Sequence, residues 1–444
     1  MKNLNYVYIE TFGCSANQNN SEILAGILRS AGYQITNNEK IAEIIILNTC
    51  VVKSKTESKI KRKIQDLSKQ KRKLVIITGC MPETDAKQIK QLNPDAILLG
   101  THHFKDILKL IKNYNDSQLD LIKQDTYLDY KDEQKLLLPK IPNNKLISIT
   151  QISEGCLGAC TFCKARLAKG RLFSYDMDDI LKSIENDLKS GAKEVWITSQ
   201  DNAGYGMDKE GKKQRLPELL EKILALKHNF KLRLGMMDPN NAYTILDSLI
   251  RIYHNPKIYK FIHIPIQSAS NSVLKHMNRL YTIEQAEHII EEFRKQFPEI
   301  AIATDIIVGY PTETNKDHEK NMDFIKKFKP DVLNLSKFSS HKQTPAGKLE
   351  QLNIDIINKR ASELMEAHRQ TAYENKSKFL GKTIKVFVNR KRQGFFEARD
   401  ENYNIIIVAG DKILGENINV RIKQVGVHHM VGGICNQGLY KDKP

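Results

Sequence analysis

The sequence predicts an α/β protein with an N-terminal open parallel α/β domain, a central complete or partial βα barrel and a small C-terminal β-barrel. Three observations predict this class. Short apolar strands alternate with amphipathic helices over residues 5–79, and six further strand–helix units follow over residues 145–338. The last segment instead has short alternating strands separated by turn residues. We expect the domains at residues 1–140, 141–370 and 371–440.

The N-terminal domain is predicted from its alternation of strand and helix signals. Apolar strands are expected at residues 5–12, 42–48 and 73–79. Between them, "NSEILAGILRSAGY" has helical periodicity with Gly32 as its stop, and "KTESKIKRKIQDLSKQ" predicts a second, strongly basic helix. The βαβαβ order favours a parallel sheet with short crossovers.

Cysteines follow each of these three strands. Cys14, Cys50 and Cys80 stand in "TFGC", "LNTC" and "ITGC", at or just past the predicted strand ends. The carboxyl ends of parallel strands meet at one edge of a sheet, where ligands bind. One cysteine at such a place is usually a small buried hydrophobe, but the threefold repetition favours a common site.

The central barrel follows a polar link at residues 104–145. Helical patterns separate six predicted strands, at residues 145–153, 194–199, 231–237, 260–267, 301–310 and 331–338. In a βα barrel the chemistry is located at the carboxyl ends of the strands. The stretch "SEGCLGACTFC" follows the first of these strands and is therefore expected on the catalytic face.

The C-terminal segment follows a long polar helix predicted at about residues 354–379. Its short strands suit a small β-barrel of the kind that binds RNA or oligonucleotides. Basic and aromatic side chains there, including Arg390, Arg392 and Phe395, suit contacts with phosphates and stacking on bases. The alternative is a barrel that packs on the rest of the chain with a merely solvated basic surface.

Composition limits the functional classes. The 444 residues are 41% apolar and 27% charged, as in ordinary globular proteins, and no apolar run approaches the ~18 residues of a membrane span. The N-terminus lacks a signal-peptide pattern, so a cytoplasmic location is expected, in which seven cysteines suit metal or redox chemistry. The net charge of +17 favours a polyanionic partner, with nucleic acid first, although lysine-rich proteins also use such charge for solubility.

Cys156, Cys160 and Cys163 form a C-x₃-C-x₂-C pattern on one loop. Three thiolates can hold three irons of a [4Fe–4S] cube and leave the fourth iron open. A structural zinc site would need a second CxxC pair, which this sequence lacks. A disulfide is disfavoured by the odd number and the reducing compartment.

"CLGACTFC" after the first strand of a βα barrel resembles the signature of radical S-adenosylmethionine enzymes. "TFGCSANQNNSE", "LNTCVVK" and "TGCMPE" are similar to the N-terminal motifs of methylthiotransferases, and "HIPIQSASNSVLKHMNRLYT" and "TDIIVGYPTET" to their barrel motifs. "CTFCKARLAKGRLFSY", "VWITSQDNAGYGMD" and "LRLGMMDPNNA" resemble the archaeal and eukaryotic branch, which acts on threonylcarbamoyladenosine beside the tRNA anticodon. The C-terminal barrel corresponds to the RNA-binding TRAM domain of the family.

The resemblance implies two [4Fe–4S] clusters and S-adenosylmethionine. Cys156, Cys160 and Cys163 would bind the radical-generating cluster. Cys14, Cys50 and Cys80 would bind an auxiliary cluster that holds the transferred sulfur. The implied reaction replaces the C2 hydrogen of the adenine by a methylthio group, with one S-adenosylmethionine as methyl donor and a second as radical source. It implies tRNA, an electron donor and a sulfur source as partners, the last two unidentified.

Further site residues are implied at the strand ends. Those expected to contact S-adenosylmethionine are Ser199, Gln200, Asp201, Arg233, Asp238, Gln267, Ser268 and Gly309. Arg279 in "HMNRLY" is a candidate contact for a substrate phosphate or the threonyl carboxylate. For each of these positions the alternative is a polar residue that satisfies the backbone at a strand end, or an ordinary arginine.

Some positions depart from the family pattern, and two other functions stay open. Where many relatives carry R-x-G-T-x-A, this chain has "SSHKQTPAGK", so that His341 and Lys342 would supply the positive charge. Eukaryotic members often end in a membrane tail, whereas "CNQGLYKDKP" implies no anchor. The alternatives are a methylthiotransferase that modifies a ribosomal-protein side chain and a non-catalytic iron–sulfur RNA-binding protein.

Overall fold

The computed structural model describes residues 5–70, 73–115, 126–411 and 413–435. Part of the predicted polar link, residues 116–125, lies outside the described residues, as does most of the C-terminal stretch "CNQGLYKDKP".

The N-terminal domain contains the predicted parallel sheet. Its five strands pair in the order β2-β1-β3-β4-β5, and all four pairings are parallel. The strands are β1 (Tyr6–Thr11), β2 (Gln34–Ile35), β3 (Ile44–Thr49), β4 (Leu74–Gly79) and β5 (Ile97–Gly100). Strands β2 and β5 were not predicted, because two- and four-residue strands give little periodic signal.

Helices cover both faces of this sheet. They are α1 (Ser15–Ser30), α2 (Ser54–Ser68), α3 (Cys80–Leu92) and α4 (Ile107–Asn115). Successive residues of a strand point to opposite faces. Thus Ile44 and Ile46 pack in one apolar cluster, while Ile45 and Leu47 pack in a second cluster on the other face. Burial on both faces explains why this strand is a continuous apolar run.

The six predicted barrel strands are all present. Between the first and second lies a short antiparallel pair. The strands are β6 (Ile147–Gln151), β7 (Ser153–Glu154), β8 (Phe173–Ser174), β9 (Glu194–Thr198), β10 (Lys231–Leu234), β11 (Phe261–His263), β12 (Ala301–Val308) and β13 (Val332–Lys337). The six form two parallel three-stranded sheets, β10-β9-β6 and β11-β12-β13. The Tyr259 amide donates to the Leu232 carbonyl (2.9 Å) and links the two sheets into a partial barrel.

Helices surround this partial barrel and bury one large apolar core against it. They are α6 (Met177–Lys189), α7 (Leu216–Leu224), α8 (Pro239–Thr244), α9 (Leu246–Tyr253), α10 (Asn271–His276), α11 (Ile283–Gln296), α12 (Asn315–Phe328) and α13 (Ile354–Ser377). Helix α5 (Lys164–Lys169) instead packs on α3, with Ala168 in an apolar cluster of the N-terminal domain. Helix α13 runs across residue 370, so the domain limit predicted there falls within a continuous helix. No helix in the described ranges is both long enough and apolar enough to cross a lipid bilayer.

The C-terminal segment forms the predicted small barrel, closed in the order β14-β15-β16-β18-β17. Its strands are β14 (Thr383–Arg392), β15 (Phe395–Arg399), β16 (Ile405–Val408), β17 (Asn417–Val425) and β18 (Met430–Ile434). The turn after β15 inserts Tyr403 into the amino-terminal mouth of the central barrel. Its ring lies 4.9 Å from that of Tyr259 and 5.2 Å from that of Phe261, between centroids. This turn therefore packs on the rest of the chain, as the alternative interpretation expected.

Candidate active site

Cys156, Cys160 and Cys163 lie on the loop between β7 and α5, at the carboxyl end of the central barrel. A methyl group on Gly158 would lie 3.3 Å from Cys156 Sγ and 3.7 Å from Cys160 Sγ, so two of the sulfurs flank this residue. Burial raises the pKa of Cys156 to about 12 and also raises that of Cys163. These thiols therefore stay neutral unless a metal replaces the proton.

Neighbouring segments hold this loop in place. Arg166 Nε donates to the Cys156 carbonyl (2.9 Å), and Asn278 Nδ2 donates to the Ala159 carbonyl (2.9 Å). The Thr161 amide donates to the Met277 carbonyl (3.1 Å). The "HMNR" segment thus fixes the backbone on both sides of Cys160.

Arg279 contacts the cysteine loop directly. Its Nη1 donates to Cys160 Sγ (3.1 Å), its Nη2 lies 2.5 Å from Asp238 Oδ2, and its guanidinium stacks on Tyr281. The side chain is only 8% exposed. The sequence predicted that Arg279 contacts a substrate phosphate or the threonyl carboxylate; in the structure its guanidinium contacts a cysteine of the loop and the Asp238 carboxylate.

Ser199, Gln200 and Asp201 follow β9 beside the cysteine loop. Ser199 Oγ and Gln200 Oε1 are buried and have no hydrogen-bond partner among the described residues. Asp201 differs, because it accepts from the amides of Ala203 (3.1 Å) and Asp238 (2.9 Å) and so ties two strand ends together. Burial and the Asp238 carboxylate raise the pKa of Asp201 to about 6. Of these three residues, Ser199 and Gln200 therefore each have a polar side-chain atom available to bind a ligand.

Gln267, Ser268 and Gly309 lie at the ends of the second sheet. Gln267 has a φ of 61°, and its amide donates to the Asp305 carbonyl (2.8 Å). Ser268 is fully buried and its Oγ accepts from the Ser270 amide (3.2 Å). Gly309 has a φ of 78°, and a methyl group there would lie 2.5 Å from Ile357 Cγ1. These contacts account for the conformation and burial of all three residues by local packing alone.

The structure does not bring Arg233 to the cysteine loop. Its guanidinium lies over the rings of Phe261 (5.3 Å) and Tyr403 (5.9 Å), at the opposite, amino-terminal mouth of the barrel. Arg233 is the third of the four residues of β10, and the direction of its side chain, toward Phe261 and Tyr403, takes its guanidinium away from the cysteine loop. The expected contact with S-adenosylmethionine is therefore not supported at this residue.

The segment that departs from the family pattern packs on the N-terminal domain. Gln343 Nε2 donates to the Thr84 carbonyl (2.6 Å) in α3. Burial and then the nearby Lys164 ammonium lower the pKa of His341. At neutral pH this histidine therefore does not supply the positive charge expected of it.

Cys14, Cys50 and Cys80 are brought together at the edge of the N-terminal sheet, as predicted. Gly13 has a φ of 110°, and a methyl group there would lie 3.0 Å from Cys50 Sγ. Burial raises the pKa of Cys80 to about 12, although the nearby Lys169 ammonium acts to lower it. Cys14 is exposed, whereas the other two are buried.

A buried ammonium group faces this second triplet. Lys169 Nζ, at the end of α5, bonds to Thr101 Oγ1 (2.5 Å) and Glu154 Oε1 (3.1 Å). Lys135 Nζ bonds to the same carboxylate oxygen (2.6 Å), and each lysine is 2% exposed. Burial lowers the pKa of Lys169, but the Glu154 carboxylate and the thiols of Cys80 and Cys14 outweigh it and raise the pKa overall.

Two lysines thus share one carboxylate, and the carboxyl groups of Glu83 and Glu133 interact with them at longer range. Of the two, the Lys169 ammonium is the one that interacts with the thiols of Cys80 and Cys14. This network was not predicted from the sequence. The only local signal was the pair Lys169 and Gly170 within the motif "CTFCKARLAKGRLFSY". Helix α5 therefore begins at a cysteine of the first triplet and ends at a cation that faces the second.

The donor sets fit iron–sulfur cubes better than single ions. In the part of the chain that the structure describes, no three His, Cys, Asp or Glu side chains are grouped so as to hold one metal ion. A cube takes one thiolate per iron, so its ligands spread more widely than those of a single ion. Each triplet supplies three thiols; five of the six are buried or half-buried, and Cys14 is exposed.

A cleft of about 750 Å³ joins the second triplet to the C-terminal barrel. Cys14 lines one side, and Arg390 and Arg392 line the other. Arg392 Nε pairs with Glu397 Oε1 (2.7 Å), while Arg390 lies 4.0 Å from the same carboxylate. Phe395 is 36% exposed on the same barrel but does not line the cleft. The basic strand predicted to bind nucleic acid therefore opens onto the exposed cysteine.

Two family models match the chain. Residues 6–100 match the model described as Uncharacterized protein family UPF0004, and residues 150–325 match the Radical SAM superfamily. Membership of that superfamily implies S-adenosylmethionine and a [4Fe–4S] cluster as cofactors.

Solved structures share the fold. A radical S-adenosylmethionine methyltransferase, TsrM, from Kitasatospora setae superposes with a TM-score of 0.55 at 13% identity, over 77% of this chain and 75% of that one. The cobalamin-dependent S-adenosylmethionine radical enzyme OxsB superposes with a TM-score of 0.52 at 15% identity, over 84% and 58%.

Curated relatives cover nearly the whole chain. It is 35% identical to a probable threonylcarbamoyladenosine tRNA methylthiotransferase of Pyrococcus horikoshii, over 96% of this chain and 99% of the relative. The figures for the Archaeoglobus fulgidus relative, also named probable, are 36%, 97% and 98%. The Homo sapiens threonylcarbamoyladenosine tRNA methylthiotransferase is 32% identical over 96% of this chain and 73% of that one. The chain therefore belongs to the threonylcarbamoyladenosine tRNA methylthiotransferase family.

Proposed function

We propose that the chain inserts a methylthio group at C2 of threonylcarbamoyladenosine beside the anticodon of tRNA. It is a radical S-adenosylmethionine enzyme of the tRNA methylthiotransferase family. The observation that carries the proposal is the presence of two complete cysteine triplets at two strand-end edges, in a chain that matches such relatives along nearly its full length.

The first triplet would hold the radical-generating cluster through Cys156, Cys160 and Cys163. With S-adenosylmethionine bound, that cluster supplies a 5′-deoxyadenosyl radical able to remove an unactivated hydrogen. Arg279 donates to Cys160 Sγ and so stabilises negative charge on that sulfur. Gln200 Oε1 could accept a hydrogen bond from the amino group of the cofactor, and the Ser199 hydroxyl could accept from that group or donate to the carboxylate.

The second triplet would hold an auxiliary [4Fe–4S] cluster through Cys14, Cys50 and Cys80, and that cluster would carry the sulfur. Two observations support this. The three thiols converge at one sheet edge, and the buried Lys169 ammonium beside them would stabilise the negative charge that thiolates and sulfide bring. The exposed Cys14 gives this site an opening toward the substrate.

The cleft between Cys14 and the basic strand β14 would receive the tRNA. Arg390 and Arg392 suit phosphate contacts, which set affinity and orientation without reading sequence. The reaction also requires an external electron donor and a sulfur source.

The test is mass spectrometry of nucleosides from tRNA of cells that lack this gene, with the chain restored or not. We expect methylthio-threonylcarbamoyladenosine only when the chain is present, and no such product with a matched Cys156→Ala variant. If restoring the chain changes no nucleoside, the tRNA substrate is wrong, and the same mass gain should be sought on ribosomal proteins. If Cys156→Ala restores the product as well as the unaltered chain, the radical role of the first triplet is wrong.

A further inference from the structure

A cavity of about 350 Å³ lies where the C-terminal barrel meets the amino-terminal mouth of the central barrel. Three cations from different parts of the chain line it: Arg233 from β10, Lys376 from α13 and Arg399 from β15. His263, His368 and His428 line it as well. The cavity is at the opposite end of the barrel from the cysteine loop, and the proposed reaction does not use it.

The three cations are not paired within the described residues. Arg233 Nε and Arg399 Nε are buried without a hydrogen-bond partner among the described residues, while Arg399 Nη1 donates to the Tyr403 carbonyl (3.0 Å). None of the three side chains forms a salt bridge within the described residues. Their guanidinium groups lie over aromatic rings, Arg399 at 4.2 Å from the Tyr403 centroid. Lys376 is 4% exposed and has carboxylates only at longer range.

His368 is a further polar group with unused capacity. It is 2% exposed, and neither ring nitrogen has a hydrogen-bond partner in the part of the chain that the structure describes. The Pro330 and Asp331 carbonyls lie near the ring but outside hydrogen-bond geometry. Burial and then the Lys376 ammonium lower the pKa of His368 to about 4, so its ring is neutral and can donate one N–H.

The carboxylates nearby do not balance this charge. Asp331 accepts from the Ile302 amide (2.9 Å) and from Asn375 Nδ2 (3.1 Å). Asp400 accepts from the Asn404 amide (2.8 Å) and from Asn404 Nδ2 (2.9 Å). Three cations therefore face two carboxylates whose oxygens already bond to other groups. A buried charge without a partner is costly, so an anion in this cavity would stabilise the junction.

We propose that this cavity binds a phosphate group. Two guanidinium forks, one ammonium and an imidazole N–H converge there, and this is the donor set that tetrahedral oxyanions prefer. The bound group would hold the C-terminal barrel against the central barrel beside Tyr403. Its source is either a free phosphate or phosphomonoester or the backbone of the nucleic acid. The inference stands independently of the function proposed above.

The experiment uses the full-length chain, inorganic phosphate as the probe, and isothermal titration at constant ionic strength with chloride as the competing salt. We expect Lys376→Gln to weaken phosphate binding about tenfold, because a charged hydrogen-bond donor is lost from a buried site. Lys385→Gln removes an equal charge from an exposed position of the same barrel outside the cavity and should change binding less than twofold. Lys376→Arg, which keeps the charge, should bind within about threefold of the unaltered chain.

A second arm distinguishes the source of the phosphate. The same variants are titrated with a tRNA anticodon stem-loop. If free phosphate does not bind but Lys376→Gln alone weakens RNA binding tenfold, the phosphate belongs to the nucleic acid and the site stands. If neither probe distinguishes Lys376→Gln from Lys385→Gln, the cavity is only a hydrated interface and the proposal is wrong. Should Lys376→Gln not fold, the charge-conserving Lys376→Arg decides, because the proposal requires that variant to bind phosphate.

Discussion

The two cysteine triplets are assembled in different ways. Cys156, Cys160 and Cys163 lie on a single loop that neighbouring backbone and Asn278 hold in place. Cys14, Cys50 and Cys80 come from three separate strand ends, and only the parallel sheet brings them together. The first site is therefore local and the second depends on the fold of a whole domain.

The charge around the two sites differs as well. At the first, the Arg279 cation is matched by Asp238, so that pair is electrically balanced. At the second, Lys169 shares its carboxylate partner, Glu154, with Lys135 and interacts with the thiols of Cys80 and Cys14. The cation at the first site therefore has a carboxylate to itself, whereas the cation at the second has only a shared one.

The largest effects are expected when one cysteine is removed from either triplet, and they distinguish the roles of the two sites. Cys156→Ala should abolish cleavage of S-adenosylmethionine, because the radical cluster loses a ligand. Cys50→Ala should retain cleavage and make no methylthio product. Both are measured anaerobically, as 5′-deoxyadenosine by chromatography and as modified nucleoside by mass spectrometry. Methylthio product from the Cys50 variant would show that the auxiliary site has another role.

A smaller effect is expected at Lys169. Lys169→Met should lower methylthio formation about 10–100-fold, as loss of a group that supports a metal ligand does, while Lys169→Arg should keep most of it. The reduction potential of the auxiliary cluster should also fall, because a nearby cation favours the added electron.

That potential is best measured in a chain whose Cys156, Cys160 and Cys163 are all alanine. If this chain binds no iron, the second cluster itself is wrong. If it binds iron but Lys169→Met leaves the potential unchanged, only the charge argument fails.

At the first site, Arg279→Gln should lower the rate of S-adenosylmethionine cleavage about tenfold, because the bond to Cys160 Sγ and the pair with Asp238 are both lost. Methylthio formation should fall by the same factor, since cleavage precedes it. If the cleavage rate is unaltered and tRNA binding is weaker, Arg279 instead contacts the substrate, as the sequence first indicated.

The smallest effect concerns the cleft beside Cys14. Arg390→Gln with Arg392→Gln should weaken tRNA binding and reduce the slope of log affinity against log salt by about 0.7–0.9 for each lost phosphate contact. Lys382→Gln with Lys385→Gln, on the same strand or beside it and outside the cleft, serves as the matched control. Equal changes for both pairs would mean that the cleft is not the tRNA path.

The sequence by itself determined the order of domains, the six barrel strands, the closed C-terminal barrel and both cysteine triplets. Each of these rests on a local pattern: an apolar run, a helical period, or cysteines at strand ends. The family motifs are likewise contiguous, so short stretches of sequence suffice to indicate the substrate class.

Only the tertiary structure decided the rest, because it depends on residues far apart in the chain. Lys135, Glu154 and Lys169 meet through burial, and no short pattern encodes one carboxylate shared by two lysines. Arg279 was expected to contact substrate and Arg233 to contact cofactor, yet their partners are Asp238 with Cys160 and Phe261 with Tyr403. Side-chain direction and the balance of buried charge are set by packing between distant segments, so the structure alone assigns them.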